Sequence, residues 1–470
     1  MKFFAFLTVA LIIIGSFPAC KKDSFISSSN AYLHISDDTL HFDTVFTTTG
    51  STTQFFKIFN DNDQKLLLSN VQLMGGAASF FKLNVDGSAG TDFSNIELAA
   101  NDSLYGFVTV SINPNATNLP FVVRDSIQIS FNGNTRYLQL EAYGQNAFFL
   151  RNAVITKDTA WTNNLPIVIL GSLTVNKGKT LTINKGSKIY VHANAPIQIN
   201  GSLKALGDSN ARIQFTGDRL DDPYKDYPGS WPGIYFQDSS SDNLLQFCII
   251  KNAYQGAMVQ KPILNGAASP KLTINESIFD NIYDIAIGGT NTSITARNCL
   301  VSNSGYNLSI NSGGNYSFTN CTIASYGNTY VDHKNPVLIL SNTNTDNSTA
   351  NPLYCTFTNS ILYGSGGLVD NELAFNKSSN TAVPFVVSLN NVLYKQKKAI
   401  DPTNATINTT SIANQAPLFD SINVGNKYYS FRLKPTSPCY GAGSNTVSIP
   451  YDLDGVPATV PFNIGCYQNK

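Results

Sequence analysis

The sequence contains few charged side chains and few histidines. Of its 470 residues only 13% are charged, Lys+Arg and Asp+Glu both number 31, and there are four histidines. A nucleic-acid-binding protein needs a basic face, so this balance gives no reason to expect a nucleic-acid partner. No stretch has the periodicity of an amphipathic helix. Abundant Asn, Ser, Thr and Gly, with few long charged residues, instead favour β structure with many turns.

The residues that usually build metal and catalytic sites are also sparse. The histidines are scattered, and none lies beside another catalytic residue type in a recognisable motif, so we predict surface or packing roles for His34, His41, His192 and His333. The seven cysteines include no closely spaced pair of the kind that binds a metal. No metal centre is expected from either residue type.

A long apolar run occurs only at the start of the chain. Lys2, the apolar stretch 3–14 and the small residues up to Cys20 predict an export signal over residues 1–20, and the run is too short for a permanent membrane span. A cysteine at this place resembles the bacterial lipobox, with Phe17 where an aliphatic residue is usual. The charged residues 21–23 resemble the tether of Bacteroidota lipoproteins. The resemblance implies a lipid on Cys20, a tether over 21–31 and a place in the cell envelope, at the periplasmic or surface face of the outer membrane. An ordinary secretory signal is the alternative.

Residues 32–146 show short strands of period-two alternation separated by turn signals, which predicts an all-β sandwich. Strands are expected at 54–60, 66–74 and 80–85, and a hairpin is expected at Asn132-Gly133-Asn134. The order of these phrases resembles immunoglobulin-like domains of the ASPM-SPD-2-Hydin kind.

A short phrase recurs through the second half of the chain. Its first residue is at 247, 276, 298, 320, 359 and 390, a period typical of a solenoid. The second position is small, as in Cys248, Cys299 and Cys321. The position two residues later is bulky and apolar, and the position three residues earlier is apolar in all copies but the last. Asn252 and its equivalents Asn281 and Asn303 occupy a corner, where we predict a structural stack of turn amides.

Side chains of a strand alternate between its two faces, so two positions three residues apart cannot face inward on one regular strand. Each copy therefore requires a bend between two short strands. Such a unit cannot bury a core alone but can do so when stacked on its neighbours. We therefore predict a parallel β-helix over 147–416, which resembles the right-handed parallel β-helix proteins of the pectin-lyase-like superfamily. Residues 417–470 resemble the closing segment of such proteins. That resemblance implies a cap over the open end of the helix and a disulfide between Cys439 and Cys466.

The polar loop at 217–229 is the strongest candidate for a binding site. It could bind a sugar through aromatic stacking and hydrogen bonds, or Ca²⁺ through oxygen ligands. The alternative is a solvated loop in which Arg219 and Lys225 pair with their neighbours. The candidate ligand-binding residues are Asp218, Arg219, Asp221, Asp222, Tyr224, Asp226 and Trp231.

The catalytic phrases of related enzymes are missing. Polygalacturonases of this fold carry a Gly-His-Gly phrase and pectate lyases a Trp-Ile-Asp-His phrase, and neither occurs here. An Arg-x-Lys phrase is present at 432–434, but it lies in the closing segment. No catalytic residue is therefore assigned. The expected function is polysaccharide binding along the solenoid face; a lyase or glycoside hydrolase and a structural or adhesive spacer are the alternatives.

Overall fold

The computed structural model describes residues 24–46, 51, 53–112, 121–261, 270–447 and 449–468. It is nearly all β and divides into two compact units, Met1–Asn146 (unit 1) and Ala147–Lys470 (unit 2). Helical structure among the described residues is limited to two short 3-10 turns, Gly76–Ala78 and Tyr224–Asp226. None of the described helices is long and apolar enough to cross a membrane.

Unit 1 is built from two five-stranded sheets. Their orders are β1-β3-β8-β5-β6 and β2-β10-β9-β4-β7, and all pairings are antiparallel except that of β2 with β10. The strands are β1 (Leu33–Ile35), β2 (Thr39–Phe46), β3 (Gln54–Asn60), β4 (Leu66–Leu73), β5 (Phe81–Val85), β6 (Ser88–Gly90), β7 (Asp92–Leu98), β8 (Asp102–Val110), β9 (Phe121–Phe131) and β10 (Asn134–Gln145).

The inner faces of the two sheets share one core. Alternate residues of each strand, such as Phe56 and Ile58 of β3 and Leu138 and Leu140 of β10, are buried in it, as period-two alternation requires. The strands predicted at 54–60, 66–74 and 80–85 are present with small shifts at their ends. Asn132 and Gly133 adopt positive φ in the turn between β9 and β10, so the predicted hairpin is confirmed.

The segment expected to be a tether is docked onto unit 1 from residue 24. The backbone N–H of Ile26 donates to the carbonyl of Lys65 at 2.8 Å, and the Asn132 side chain donates to the carbonyl of Ile26 at 2.8 Å. Ile26 also packs against the core and Ala31 is buried in it. Residues 24–31 are therefore not a free linker, because their backbone polar groups and apolar side chains have partners on the unit.

Unit 2 consists mainly of a parallel sheet of 26 strands. Its strands are β11 (Phe148–Ile155), β12 (Thr159–Trp161), β13 (Ile167–Val175), β14 (Thr180–Asn184), β15 (Lys188–Val191), β16 (Ile197–Ile199), β17 (Ser202–Leu206), β18 (Ile213–Gly217), β19 (Ile234–Phe236), β20 (Asn243–Gln246), β21 (Cys248–Lys251), β22 (Ala257–Val259), β23 (Leu272–Asn275), β24 (Ile278–Asp280), β25 (Ile285–Arg297), β26 (Leu300–Ser302), β27 (Tyr306–Thr319), β28 (Thr322–Ser325), β29 (Leu338–Ser341), β30 (Leu353–Thr358), β31 (Ile361–Gly364), β32 (Leu373–Asn376), β33 (Phe385–Asn390), β34 (Leu393–Tyr394), β35 (Thr406–Ile407) and β36 (Ile412–Ala413).

The pairing pattern of these strands is regular. A strand typically pairs in parallel with the strand three places later in the chain, as β14 does with β17 and β15 with β18. The long strands β13, β25 and β27 each take two places in this pattern. The arrangement is compatible with a solenoid.

The repeated phrases stack in register. Leu245 pairs with Ile274, Ile274 with Ala296, Ala296 with Phe318, and Phe318 with Phe357. All five side chains are buried in one core, and the rings of Phe318 and Phe357 stack with their centroids 5.0 Å apart. Burial of an aliphatic or aromatic side chain of this size stabilises the fold by about 1.5–3 kcal/mol, which no single copy could achieve without its neighbours.

The bend predicted inside each phrase is a single left-handed residue. Positive φ occurs at the first residue of each copy: Phe247, Glu276, Asn298, Asn320, Asn359 and Asn391, with values from 47° to 52°. One strand ends directly before this bend, and the next strand begins one or two residues after it. The bend lets positions on its two sides, such as Leu245 and Cys248, both face the core.

The last copy is displaced by one residue from the predicted alignment. Ile361 pairs with Leu393 and Phe357 with Leu389, so this copy begins at Asn391 rather than at residue 390. Leu389 thus takes the inward position assigned to Ser388. This register removes the apparent loss of an apolar residue in the last copy, because Leu389 is buried in the core.

Residues 417–447 and 449–468 lie along the side of the parallel sheet. Apolar residues on the outer face of the sheet form a second core with apolar residues of the segment. The sheet contributes Leu300, Ala324, Ile361 and Leu393, and the segment contributes Phe419, Phe431, Leu453 and Ile464. The segment contains the antiparallel pair β37 (Phe419–Asn423) and β38 (Tyr428–Leu433). Side-chain amides at the left-handed bends fix it: Asn298 donates to the Tyr451 carbonyl at 2.8 Å and Asn359 to the Ser444 carbonyl at 3.0 Å. The segment therefore covers apolar surface on the side of the sheet, whereas the sequence predicted a cap over its open end.

Candidate functional site

A polar cleft of about 410 Å³ lies beside the loop that follows β18. It is formed by that loop, by the corner asparagines, by the segment after β28 and by the turn between β37 and β38. Its lining residues are Asp226, Lys251, Asn252, Asp280, Asn281, Asn303, Asn328, Tyr330, Asn426, Lys427 and Tyr429.

The floor of the cleft is the corner column of asparagines. Asn252, Asn281 and Asn303 adopt φ of 62°, 56° and 48°, a conformation that asparagine tolerates better than most residues. The Nδ2 of Asn281 donates to the Oδ1 of Asn252 at 2.8 Å, and the Nδ2 of Asn328 donates to the Oδ1 of Asn281 at 2.8 Å. The predicted stack of turn amides is present for Asn252 and Asn281, while the Asn303 amide oxygen accepts from the Tyr326 N–H at 3.1 Å. All three residues line the cleft.

The same amides hold the loop after β18 in place. Asn252 donates to the carbonyl of Lys225 at 2.7 Å, and Asn281 donates to the carbonyl of Asp226 at 2.8 Å. One wall of the cleft is thus attached to its floor by side-chain hydrogen bonds.

The opposite wall carries a lysine next to a tyrosine. The Nζ of Lys427 donates to the hydroxyl of Tyr330 at 2.9 Å and lies 3.6 Å from a carboxylate oxygen of Asp226. The hydrogen bond to Tyr330, together with the nearby Asp226 charge, raises the pKa of Lys427 above its ordinary value. Lys427 is therefore cationic, with both partners at the cleft.

Asp280 lies at the base of the cleft. It accepts a hydrogen bond from the Ser302 hydroxyl at 2.6 Å. Burial raises the pKa of Asp280, and the Ser302 hydrogen bond and the nearby Lys251 oppose this shift. Tyr429, on the wall above, donates its hydroxyl to the Gly327 carbonyl at 2.9 Å.

Tyrosines extend the polar surface along the loop. The rings of Tyr224 and Tyr227 meet edge to face with centroids 5.2 Å apart, and Tyr227 contacts Tyr330 in the same way at 4.9 Å. Both Tyr224 and Tyr227 are exposed. The row leads from the surface of the loop to the cleft wall.

Of the seven predicted ligand-binding residues, only Asp226 lines the cleft. Asp218 lies 2.7 Å from the Nδ1 of His192. Asp221 accepts two hydrogen bonds of 2.7 Å from Arg219. The Arg219 guanidinium also lies over the Tyr224 ring at 3.9 Å.

The pairing of Arg219 with Asp221 accords with the alternative reading of a loop that neutralises itself. Asp222 likewise pairs with Lys225 at 2.8 Å. Among the described residues, no group of three or more His, Cys, Asp or Glu is arranged to hold a metal ion.

Trp231 was assigned to the wrong environment. It is fully buried in the core of unit 2, and its Nε1 donates to the Lys251 carbonyl at 2.9 Å. Its ring cannot contact a ligand. Trp231 lies shortly before β19, where a large side chain can fill the core. The polar residues around it in the sequence instead favoured a surface position.

The cysteines of unit 2 are buried free thiols. Cys439 and Cys466 both belong to the core between the sheet and the last segment, and the structure contains no disulfide between them. Burial raises the pKa of Cys439 to about 12. These two residues act as small apolar side chains here, which corrects the expected disulfide. Cys20, the expected lipidation site, lies outside the described residues.

Sequence reasoning missed most of the cleft. Lys427, Tyr330 and Asn328 are far from the loop in sequence and belong to no repeat. Asp280 had a weak signal, because it occupies the outward position just before the corner asparagine in its phrase. Reading the outward columns as well as the inward ones would have identified it.

Comparisons with known proteins give little further information. No protein-family model matches the chain, and no curated protein matches it. Among solved structures, a family 123 glycoside hydrolase from Clostridium perfringens is similar at 12% identity and a TM-score of 0.18, over 24% of this chain and 26% of that one. The Vibrio cholerae VesB protease is similar at 14% identity and a TM-score of 0.18, over 24% of this chain and 31% of that one. This chain thus covers less than a third of the length of either protein.

Proposed function

We propose that this chain is an exported, lipid-anchored protein of the cell envelope that binds a polysaccharide in the cleft of unit 2. In this proposal, residues 32–146 form an immunoglobulin-like sandwich and residues 147–416 a right-handed parallel β-helix. The regular pairing of strands three places apart and the stacked phrases support the helix. The signal-like residues 1–20 support export, with Cys20 as the lipid attachment site.

The chemistry of the cleft lining carries the proposal for a sugar ligand. Five asparagines line the cleft, and the amides of Asn252, Asn281 and Asn328 form its hydrogen-bonded floor and walls. Tyr330 and Tyr429 add rings with hydroxyl groups. Planar polar groups beside aromatic rings suit a ligand that has both hydroxyl groups and apolar C–H faces. The exposed Tyr224 and Tyr227 extend this surface to a chain longer than the cleft.

The charges of the cleft favour an uncharged glycan. The lining contains two lysines and two aspartates. Lys427 is already engaged by Asp226 and Tyr330, and Lys251 faces Asp280. A uronate carboxylate would have to displace one of these partners.

A glycan array with the mature chain tests the proposal. We expect binding that falls by at least about tenfold in Tyr330→Ala, because stacking on an aromatic ring and its hydrogen bond are both lost. Tyr330→Phe keeps the ring and should retain part of the affinity. Tyr354→Ala, an exposed tyrosine that does not line the cleft, is the matched control. Equal binding by all variants, or no glycan binding, would refute the cleft as a sugar site.

A lyase or glycoside hydrolase is the second candidate. The observation that favours it is Asp280, whose pKa is raised by burial, since catalytic carboxyl groups are commonly tuned in this way. Release of unsaturated or reducing ends from a bound glycan, abolished in Asp280→Asn, would establish this activity. If the chain neither binds nor cleaves a glycan, a structural spacer is the function that remains.

The anchor has its own test. Cells expressing the chain are labelled with a radioactive fatty acid, and the protein should carry label and fractionate with the envelope membranes. Cys20→Ala should lose both. An unlabelled wild-type protein would rule out lipid attachment without bearing on the cleft.

A further inference from the structure

The outer face of the β1-β3-β8-β5-β6 sheet in unit 1 has an unusual composition. Because side chains alternate along a strand, the buried residues of each strand identify the outward ones. The outward positions of the five strands are His34, Phe55, Lys57, Phe59, Lys82, Asn84, Ala89, Ser103, Tyr105, Phe107 and Thr109. They include four phenylalanine or tyrosine rings and two lysines. One carboxylate lies beside the face: Asp61, just after β3, pairs with His34 at one end of it.

The rings form a continuous exposed cluster. Phe55, Tyr105 and Phe107 are 56%, 42% and 39% exposed. Their ring centroids are 5.9 Å apart for Phe55 and Tyr105 and 6.1 Å for Tyr105 and Phe107. The Nζ of Lys57 lies over the Tyr105 ring at 4.5 Å. At the other end of β3, the His34 ring stacks on Phe59 at 4.4 Å.

The outer face of the other sheet of unit 1 has an ordinary polar composition. Its Glu141 pairs with Arg124 at 2.6 Å and lies 3.6 Å from His41. Its exposed rings, Tyr137 and Tyr143, hydrogen-bond through their hydroxyls to Gln128 and Glu141. A cluster of exposed rings in contact with a lysine is therefore a property of one face. Contiguous exposed apolar surface of this kind marks an interaction site.

The start of the chain places the proposed lipid anchor close to unit 1. Residues 24–31 are docked on unit 1, and the Gln64 side chain donates to the Ser24 hydroxyl at 2.9 Å. Cys20 precedes Ser24 by four residues, which reach at most about 14 Å when fully extended. A lipid on Cys20 would thus hold unit 1 directly against the bilayer. The docked segment then enters β1, the strand that carries His34, and the exposed Tyr32 lies immediately before that strand.

We propose that this aromatic face of unit 1 docks on the surface of an anionic lipid bilayer; the proposal rests on the lipid anchor in the proposed function. Phe55, Tyr105 and Phe107 enter the interface between headgroups and acyl chains, where aromatic rings are favoured. Lys57 and Lys82 contact anionic headgroups. Asp61, the carboxylate beside the face, is paired with His34 at the Phe59 end of β3. The anchor and the face act together, because a single signal gives only reversible membrane binding.

Vesicle sedimentation of the chain from residue 20 onward, with Cys20→Ser so that it carries no lipid, tests the face separately from the anchor. We expect binding to vesicles of phosphatidylethanolamine and phosphatidylglycerol, and weaker binding to phosphatidylcholine alone. Phe55→Ala with Phe107→Ala should lower the partition coefficient by about tenfold or more, because two exposed rings no longer enter the interface. Lys57→Glu should weaken binding only to the anionic vesicles.

The matched control is Tyr137→Ala with Tyr143→Ala on the opposite sheet, which should partition like the parent. The substituted Phe and Tyr side chains are exposed and Lys57 is half-buried. Thermal melts of each variant, expected to match the parent, exclude unfolding as the cause of lost binding. Equal partitioning of the Phe55/Phe107 variant and its parent would overturn the proposal, as would an equal loss in the control. Retention by immobilised glycans instead of vesicles, lost in the same variant, would also overturn it. Failure of glycan binding in the cleft would leave these results unaffected.

Discussion

Replacing Asn281 tests how far the cleft depends on a single corner amide. Its Nδ2 donates to the Asp226 carbonyl and to Asn252, and its Oδ1 accepts from Asn328. One side chain therefore connects the loop after β18, the floor and the segment that carries Tyr330. Its φ of 56° adds a backbone requirement.

Two substitutions separate the side chain from the backbone. Asn281→Gly keeps a residue that tolerates positive φ but removes three hydrogen bonds, each contributing about 0.5–1.5 kcal/mol. The expected loss of stability is roughly 1.5–4.5 kcal/mol on that basis. Asn281→Ala also places a Cβ in left-handed backbone, which costs about 1–2 kcal/mol more. The order of stability should be Asn, then Gly, then Ala.

Hydrogen exchange measured by mass spectrometry is the suitable assay, because a chain of two units does not guarantee two-state unfolding. Peptides covering 218–231 and 326–331 should exchange faster in both variants, with the larger effect in Asn281→Ala. The control is Asn95→Gly in unit 1, an exposed residue with the same φ of 56°, which should leave these peptides unchanged. Wild-type exchange in Asn281→Gly would show that the amide does not hold the walls. Equal effects of Gly and Ala would show that the backbone conformation carries no cost.

Three further predictions concern the interior of unit 2. Phe279→Ala, in the inward column, should destabilise the unit by about 3–5 kcal/mol through loss of burial and a residual cavity, and a urea-unfolding midpoint unchanged from wild type would contradict the stacked core. Glu372 is fully buried and accepts from His333 at 2.9 Å and from the Val337 N–H at 3.2 Å. Glu372→Ala should lower the stability by about 3–5 kcal/mol, and the isosteric Glu372→Gln should lower it less. A melting temperature lower for Glu372→Gln than for Glu372→Ala would count against the buried pair. Burial lowers the pKa of Lys271 to about 8 from 10.5, so the unfolded chain binds more protons between these values and stability conferred by this site rises with pH across that window. Four carbonyls accept from the Lys271 Nζ and oppose this shift. Lys271→Met should remove the rise in the free energy of unfolding between pH 8 and pH 10, measured by urea titration. The same change with pH in both proteins would refute the prediction.

The core of unit 2 was predictable because its pattern is local and repeated. The inward columns were read correctly wherever the spacing inside a phrase is constant. The last copy shifted by one residue, because Asn390 and Asn391 are identical and only pairing with β31 distinguishes them. The segments 171–175 and 201–205 have similar sequences, yet Leu173 pairs with Ile197 while Leu203 pairs with Leu181. Two similar sequences thirty residues apart therefore lie on different sides of the core.

The candidate site was less predictable, because it is formed by segments distant in sequence. The loop after β18 stood out by its charges, yet most of these charges pair within the loop. The cleft instead brings Asp226 together with Tyr330 and Lys427, one and two hundred residues away, as the stacking of the strands dictates. The sequence does not show which way the Trp231 side chain points in the segment before β19, so it could not place this residue in the core or on the surface.

The sequence by itself determined that this is an all-β chain with a repeated, stacked interior, because inward columns and left-handed asparagines are local properties that recur in each phrase. Only the tertiary structure decided that the last segment covers the side of the parallel sheet, that residues 24–31 are docked, and that the corner asparagines line a cleft. The reason is physical: the pattern of a strand identifies which face is apolar, but not which distant segment covers that face. That choice depends on burial and hydrogen bonds between parts of the chain that meet only once it has folded.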